Sequence, residues 1–246
     1  MLLPKPKDAL HRSWLLRTLA ELYDDAYLSQ KLLFKGGTCA ALRGQLDRFS
    51  VDLDFDCDAK DGEITVVRKK MEAVFEKLGL EIKDSSKNVP QYFLRYPAKE
   101  GDRNTLKIDV TMPPVKANAY EKVRIDEIDR IVTCQTVETM FANKLVAMIE
   151  RFEKNESIAG RDLYDIHHFF LQGFRYNKEV IVERRNSDVK SFFEQLMEFI
   201  EKYVTNTLID QDLNTLLEHE QFQKIRKNLK QETLMFLKNE LTNMEV

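Results

Sequence analysis

Apolar residues recur at helical spacing through residues 8–33, where Leu10, Trp14, Leu15, Leu19, Leu22 and Tyr23 mark one face. The pattern breaks over Lys35-Gly36-Gly37-Thr38, and residues 39–46 read as a short helix opening from the break. Over residues 50–57 the period changes to two. Leu53 and Phe55 alternate with Asp52 and Asp54, as in a strand with one buried face. A polar turn over 58–62 leads to an amphipathic helix over 65–78, with Val67, Met71, Val74 and Phe75 on its apolar side and Gly79 as its C-cap. Strand-like runs follow over 80–83, 92–96 and 105–111, the last ended by Pro113-Pro114, with shorter candidates at 123–125 and 131–134. Strand signals cease near Thr136, and helices are expected over 137–152, 161–171, 189–204 and 220–241. The pattern predicts an α+β chain: a small mixed sheet flanked by helices over residues 1–135, then a helical domain over 136–246.

Composition narrows the class without naming a reaction. With 246 residues, 43% of them hydrophobic and 32% charged, the chain can bury a full core beneath a heavily charged surface. A net charge of −3 argues against bulk electrostatic attraction to nucleic acid, though a local basic groove stays open. Cys39, Cys57 and Cys134 form no C-x-x-C pair, which points to reduced thiols in a cytosol, and Cys39 is expected to be a small buried residue rather than a nucleophile. Apolar Met1-Leu2-Leu3 is interrupted at once by Pro4 and Lys5, unlike a secretory signal, and no run is long enough to span a membrane. A soluble cytoplasmic protein is therefore expected.

The candidate chemistry lies where the two periodicities meet. A glycine turn ahead of a D-x-D strand, with a third acid on another strand, is a layout suited to metal-dependent phosphoryl transfer. Lys107, Asp109 and Thr111 share one strand face, opposite Leu106, Ile108 and Val110. Asp52, Asp54 and Asp109 projecting into one pocket would repel one another unless cations sat between them, so Mg²⁺, as two ions, is the expected cofactor. Asp109 would complete the second metal site and help deprotonate an acceptor hydroxyl. Gly36 and Gly37 would let the backbone approach a nucleoside triphosphate, with Thr38 adding a hydroxyl donor. Lys107 either neutralises a phosphate or pairs an acid, and Arg48 either binds phosphate or anchors Asp52. Asp56 and Asp58 are read as surface charge. Farther on, Lys144, Ala147 and Arg151 share a helix face, as do Asp162, Asp165 and Phe169, opposite an apolar Leu163, Ile166 and Phe170. Lys144 is a candidate triphosphate ligand and Asp162 a candidate base or base-orienting group. His167 and His168 diverge by about 100° on a helix and read as ordinary core or surface residues; His11 and His219 stand alone.

These motifs together resemble the AbiEii/AbiGii toxin family of nucleotidyltransferases, within the DNA polymerase β-like superfamily. The resemblance is carried by Lys35-Gly36-Gly37-Thr38, by Arg48-Phe49-Ser50-Val51-Asp52-Leu53-Asp54-Phe55, by Lys107-Ile108-Asp109-Val110-Thr111, by Lys144 through Arg151, and by Arg161-Asp162-Leu163-Tyr164-Asp165-Ile166. It covers residues 30–171 and departs from the wider superfamily in having Gly-Gly-Thr in place of Gly-Ser. It implies a polymerase β-like nucleotidyltransferase domain whose site is completed by the helical domain, and Mg²⁺-dependent transfer of a nucleotide monophosphate from an NTP with release of pyrophosphate. It further implies that Lys35, Gly36, Gly37, Thr38, Arg48, Ser50, Lys107 and Lys144 serve nucleotide binding. Asp52, Asp54, Asp109 and Asp162 would be catalytic, with Arg161 and Asp165 organising Asp162. Such proteins look like the toxin half of a toxin–antitoxin or phage-defence pair, which makes an antitoxin from a neighbouring gene the implied partner, and relatives modify tRNA acceptor ends, which makes tRNA the implied acceptor. Two alternatives keep part of this picture: the same chemistry on a small molecule or protein side chain, and a non-catalytic nucleotide-binding module.

Overall fold

The structure is a computed structural model that describes residues 5–6, 8–60 and 62–244. The apolar start at Met1-Leu2-Leu3, and Asp61 within the expected turn, lie outside the described residues. The chain divides into two compact units, one of residues 1–114 with 119–136, the other of 115–118 with 137–246.

The first unit holds helices α1 (Asp8–Asp24), α2 (Leu28–Lys31), α3 (Gly36–Leu42) and α4 (Glu63–Leu78). Its strands are β1 (Leu32–Lys35), β2 (Asp52–Cys57), β3 (Glu81–Ser85), β4 (Tyr92–Arg95), β5 (Thr105–Thr111), β6 (Tyr120–Ile125) and β7 (Arg130–Gln135). They form one seven-stranded mixed sheet in the order β3-β4-β5-β2-β1-β7-β6. β2 runs parallel to β5 and β1 parallel to β7, while the other neighbours are antiparallel.

One expectation fails at the centre of this sheet. The helix expected over 8–33 is α1 and α2, and its last two residues, 32 and 33, instead open strand β1, wedged between β2 and β7. Leu32 and Phe34 are buried while Leu33 and Lys35 are half-exposed, an alternation too short to stand out beside the helical run before it. The helix expected over 39–46 begins earlier and ends at Leu42.

The core follows from that alternation. Leu53 and Phe55 of β2, Ile108 and Val110 of β5 and Phe34 of β1 are buried on one side of the sheet. α1, with Leu15, Leu19 and Leu22 buried, packs on β2 and β5, and α4, with Val67, Met71 and Phe75 buried, packs on α1 and β3. Phe34 meets Phe55 at 5.4 Å between ring centroids, and Phe75 meets Tyr92 edge-on at 5.1 Å. Each such side chain removed from water contributes about 1.5–3 kcal/mol, so this face cannot slip by one residue without exposing the set.

The second unit is helical: α5 (Val137–Asn155), α6 (Gly160–Leu171), α7 (Lys178–Arg185), α8 (Val189–Tyr203), α9 (Asn206–Leu213), α10 (His219–Ile225) and α11 (Leu229–Met244). The single helix expected over 220–241 is two, broken near Arg226, and α7 and α9 were not anticipated. α6 carries no polar face: Asp162, Leu163, Tyr164, Asp165, Ile166, His167, His168 and Phe169 are all buried, while Phe170, expected in the core, is half-exposed. The helix is ringed by α5, α9 and α11, so every side must be covered. No helix among the described residues is long and apolar enough to cross a membrane.

Candidate active site

The polar face of the sheet gathers the acids. In the parallel register of β2 and β5, Asp52 lies opposite Lys107 and Asp54 opposite Asp109, all four half-buried. β1 adds Lys35 opposite Asp54. Asp54 and Asp109 are thus neighbours on one face, where like charges repel. Asp109 relieves the repulsion locally. It accepts from Lys107 Nζ at 2.6 Å and from Gln91 Nε2 at 3.1 Å. Of the two roles open to Lys107, the structure shows the pairing.

The turn after β1 shapes the edge of this face. Gly36 has φ +77°, and a Cβ there would lie 2.4 Å from Asp54 Oδ2. A Cβ on Gly37 would lie 2.5 Å from Arg48 Nη2 and 3.1 Å from Ser50 Oγ. Both glycines are required by close approach, the first also by its backbone conformation. Gly36→Ala is expected to cost about 1–2 kcal/mol in backbone strain, and by displacing Asp54 to lower turnover about 100-fold. Thermal melting and single-turnover rates separate the two effects; an unaltered rate would show that the Asp54 position is not critical.

Thr38, Arg48 and Ser50, expected to meet a nucleotide, lie beneath the face. Thr38 is fully buried, Arg48 2% exposed and Ser50 8% exposed. The Thr38 hydroxyl donates to the Asp52 carbonyl and lies 2.9 Å from Ser50 Oγ, while Arg48 Nη1 donates to the Phe49 carbonyl at 2.9 Å. These side chains hold the turn and the start of β2 in place. His11, isolated in the sequence, does similar work: Nε2 lies 2.8 Å from the Val51 carbonyl and Nδ1 2.7 Å from Tyr96 Oη. Burial pushes its pKa down, which keeps the ring neutral as a donor to Val51. Cys39 is buried beside Cys134, and burial pushes its thiol far above the ordinary range, as suits a packing residue.

Asp56 requires a correction. Read as surface charge, it is 1% exposed and accepts from Lys35 Nζ at 2.7 Å, Tyr120 Oη at 2.7 Å and Gln135 Nε2 at 2.6 Å. The period-two run Asp52, Asp54, Asp56 was the available signal. Its covering by Tyr120 and Gln135, paired across β6 and β7, was not visible in sequence.

In the second unit, Lys144 of α5 reaches two buried acids of α6, Asp162 Oδ1 at 2.6 Å and Asp165 Oδ2 at 3.0 Å. Arg151 Nη2 adds a contact to Asp162 Oδ2 at 3.1 Å. Burial alone would raise the Asp162 pKa, but Lys144, Arg151 and Arg161 outweigh it and hold the carboxyl below its ordinary value. Asp162, expected as a base or base-orienting group, is the buried acid that holds Lys144 in place. Arg161 is half-buried at the start of α6, whose first N–H, that of Gly160, donates to Asp212 Oδ2 at 2.7 Å.

For a cation, donor type and strand position fit: Asp52, Asp54 and Asp109 offer hard oxygen ligands on one face, as divalent Mg²⁺ prefers. The side chains themselves do not converge, and among the described residues no group of three His, Cys, Asp or Glu is arranged to hold a metal. Asp109 would have to release Lys107 to join such a set.

The profile of the AbiEii nucleotidyl transferase toxin, of type IV toxin–antitoxin systems, matches residues 17–239. The chain belongs to the AbiEii family. It is accordingly a nucleotidyltransferase of the toxin class, and the α+β architecture agrees. A suspected nucleotidyltransferase from H. pylori shares the fold with TM-score 0.61 at 19% identity, over 98% of this chain and 97% of that one. JHP933 from Helicobacter pylori gives TM-score 0.56 at 19% identity, over 98% and 96%. MenT4, a nucleotidyltransferase toxin from Mycobacterium tuberculosis H37Rv, gives 0.58 at 17%, over 94% and 84%. Among curated proteins, no sequence matches this AbiEii chain.

Proposed function

We propose that this AbiEii protein transfers a nucleotide monophosphate from an NTP to a hydroxyl of tRNA in an Mg²⁺-dependent reaction in the cytoplasm, as a toxin restrained by a cognate antitoxin. The observation that carries the reading is the in-register pairing of Asp54 with Asp109, beside Asp52 and bounded by the Gly36–Gly37 turn. In the reaction the acceptor oxygen bonds to the α-phosphorus, the α–β anhydride bond breaks, pyrophosphate leaves and the hydroxyl proton passes to Asp109. Asp52, Asp54 and Asp109 would hold the metal, as two ions. When bound, the metal supplies charge neutralisation at the phosphoryl group and the leaving pyrophosphate.

The chain's own residues do the rest. Gly36 and Gly37 admit the triphosphate, and Thr38, Arg48 and Ser50 fix the turn from below. Lys107, once exchanged from Asp109, meets phosphate oxygen. Lys144 is proposed to bind the triphosphate, oriented by Asp162 and Asp165, with Arg161 adding positive potential.

The acceptor is the finer part of the proposal. Of the basic residues near the C-terminus, Arg226 pairs with Asp210 and Lys230 donates to the Glu201 and Val204 carbonyls at 2.9 and 2.8 Å. Lys224 and Lys227 are exposed and can meet phosphates.

Incubating the protein with Mg²⁺, each α-labelled NTP in turn and total tRNA is expected to place label on tRNA in a denaturing gel. Label on the protein itself would replace the tRNA acceptor with a protein side chain, and absence of transfer to either would overturn the tRNA reading.

A further inference from the structure

Asp56 and Lys35 form an ion pair whose two ends stand in different environments. The Asp56 side chain is 1% exposed, whereas the Lys35 side chain is 21% exposed. A pair serving the core alone would bury both ends. Here the carboxylate is sunk into the sheet under Tyr120 and Gln135, and the ammonium stands on the face that carries Asp54 and Asp109.

The ammonium is also fixed more tightly than an exposed lysine normally is. A lysine stem is flexible, and holding its head in one place costs side-chain entropy. Lys35 Nζ donates to Asp56 Oδ1 at 2.7 Å and to Thr111 Oγ1 at 2.6 Å, so it crosses β2 from β1 and is held from β5. An ammonium has three N–H donors, and these bonds occupy two of them. The third is available to a ligand. Asp56 follows Asp54 by two residues, roughly 7 Å along the strand, and Lys35 runs directly into the Gly36–Gly37 turn.

We propose that Asp56 and Thr111 are positioning residues which hold the Lys35 ammonium, ready-oriented, to receive a phosphate oxygen of the nucleoside triphosphate. Asp56 stays out of the metal set because three donors already occupy it. The inference rests on the nucleotidyltransferase reading of the carboxylate face, and adds to it a fixed cation beyond the proposed metal ligands.

The test is equilibrium binding of the α,β-methylene analogues of ATP, GTP, CTP and UTP, in Mg²⁺, to the full chain and its variants, with each melting temperature recorded. For the analogue the native chain binds, Lys35→Met is expected to weaken binding about 10- to 100-fold, the range of a charge-assisted bond. Asp56→Asn should weaken it about 10-fold, and adding Asp56→Asn to Lys35→Met should weaken it no further, because one residue acts through the other. Thr111→Val, at an exposed position that cannot unfold the core, should weaken it about 3-fold. Native binding with no loss in Lys35→Met and Thr111→Val would overturn the positioning role and leave the nucleotidyltransferase reading intact. No analogue binding by the native chain would overturn both. Additive losses from Lys35→Met and Asp56→Asn would also overturn it, by showing that the two act separately.

Discussion

Replacing Asp52 and Asp54 together with alanine is expected to lower nucleotide transfer about 1,000-fold or more, since each factor of ten corresponds to about 1.4 kcal/mol and the pair is proposed to hold the charge-neutralising metal. Stability should change by no more than about 1 kcal/mol, because both side chains are half-buried and removing Asp54 relieves repulsion from Asp109. The combination is diagnostic. Loss of activity with an unchanged melting temperature assigns the acids to chemistry, whereas equal losses of both would assign them to the fold. Transfer at the native rate would remove the carboxylate face from the mechanism. A growth assay adds a second readout: the double variant should relieve any arrest caused by expressing the native chain.

Lys144→Met is expected to have the largest effect on stability. It leaves Asp162 and Asp165 buried with only part of their compensation, and breaking such a pair from one side costs about 3–5 kcal/mol. Arg151 still reaches Asp162, which places the cost near the lower end, equivalent to a fall in melting temperature of about 10 °C. Adding Asp162→Asn to Lys144→Met should recover part of the loss, because the remaining deficit is an unpaired buried charge. The same cluster sets an acid limit. The Asp162 pKa is lowered on folding, so its contribution is complete above the ordinary carboxylate value of 3.8 and is lost as pH falls below it. Melting curves taken from neutral pH downward should therefore fall more steeply below that value in the native protein than in Asp162→Asn. A parallel decline would show that the cluster does not couple to protonation.

The α+β pattern, the two-residue alternation on β2 and β5, and the choice of Asp52, Asp54 and Asp109 as one-face acids were all legible from local order. Each depends on periodicity along one strand, and a period of two leaves no freedom once Leu53, Phe55, Ile108 and Val110 must face the core. The family motifs were legible for the same reason, being short and in order. Strand β1 was not, because four residues between helical runs lack the length that separates the two periods, and only pairing with β2 and β7 makes them a strand. Asp56 was misread because an acid's burial depends on what covers it. Tyr120 and Gln135 arrive from strands more than sixty residues later in the chain. The Gln91 contact to Asp109 and the burial of α6 on all sides belong to the same class. The sequence by itself determined which side chains can carry charge and which strand face they share. Tertiary structure alone decided which charges are buried, paired or held ready for a ligand, because desolvation and hydrogen bonding depend on residues brought together only by the fold.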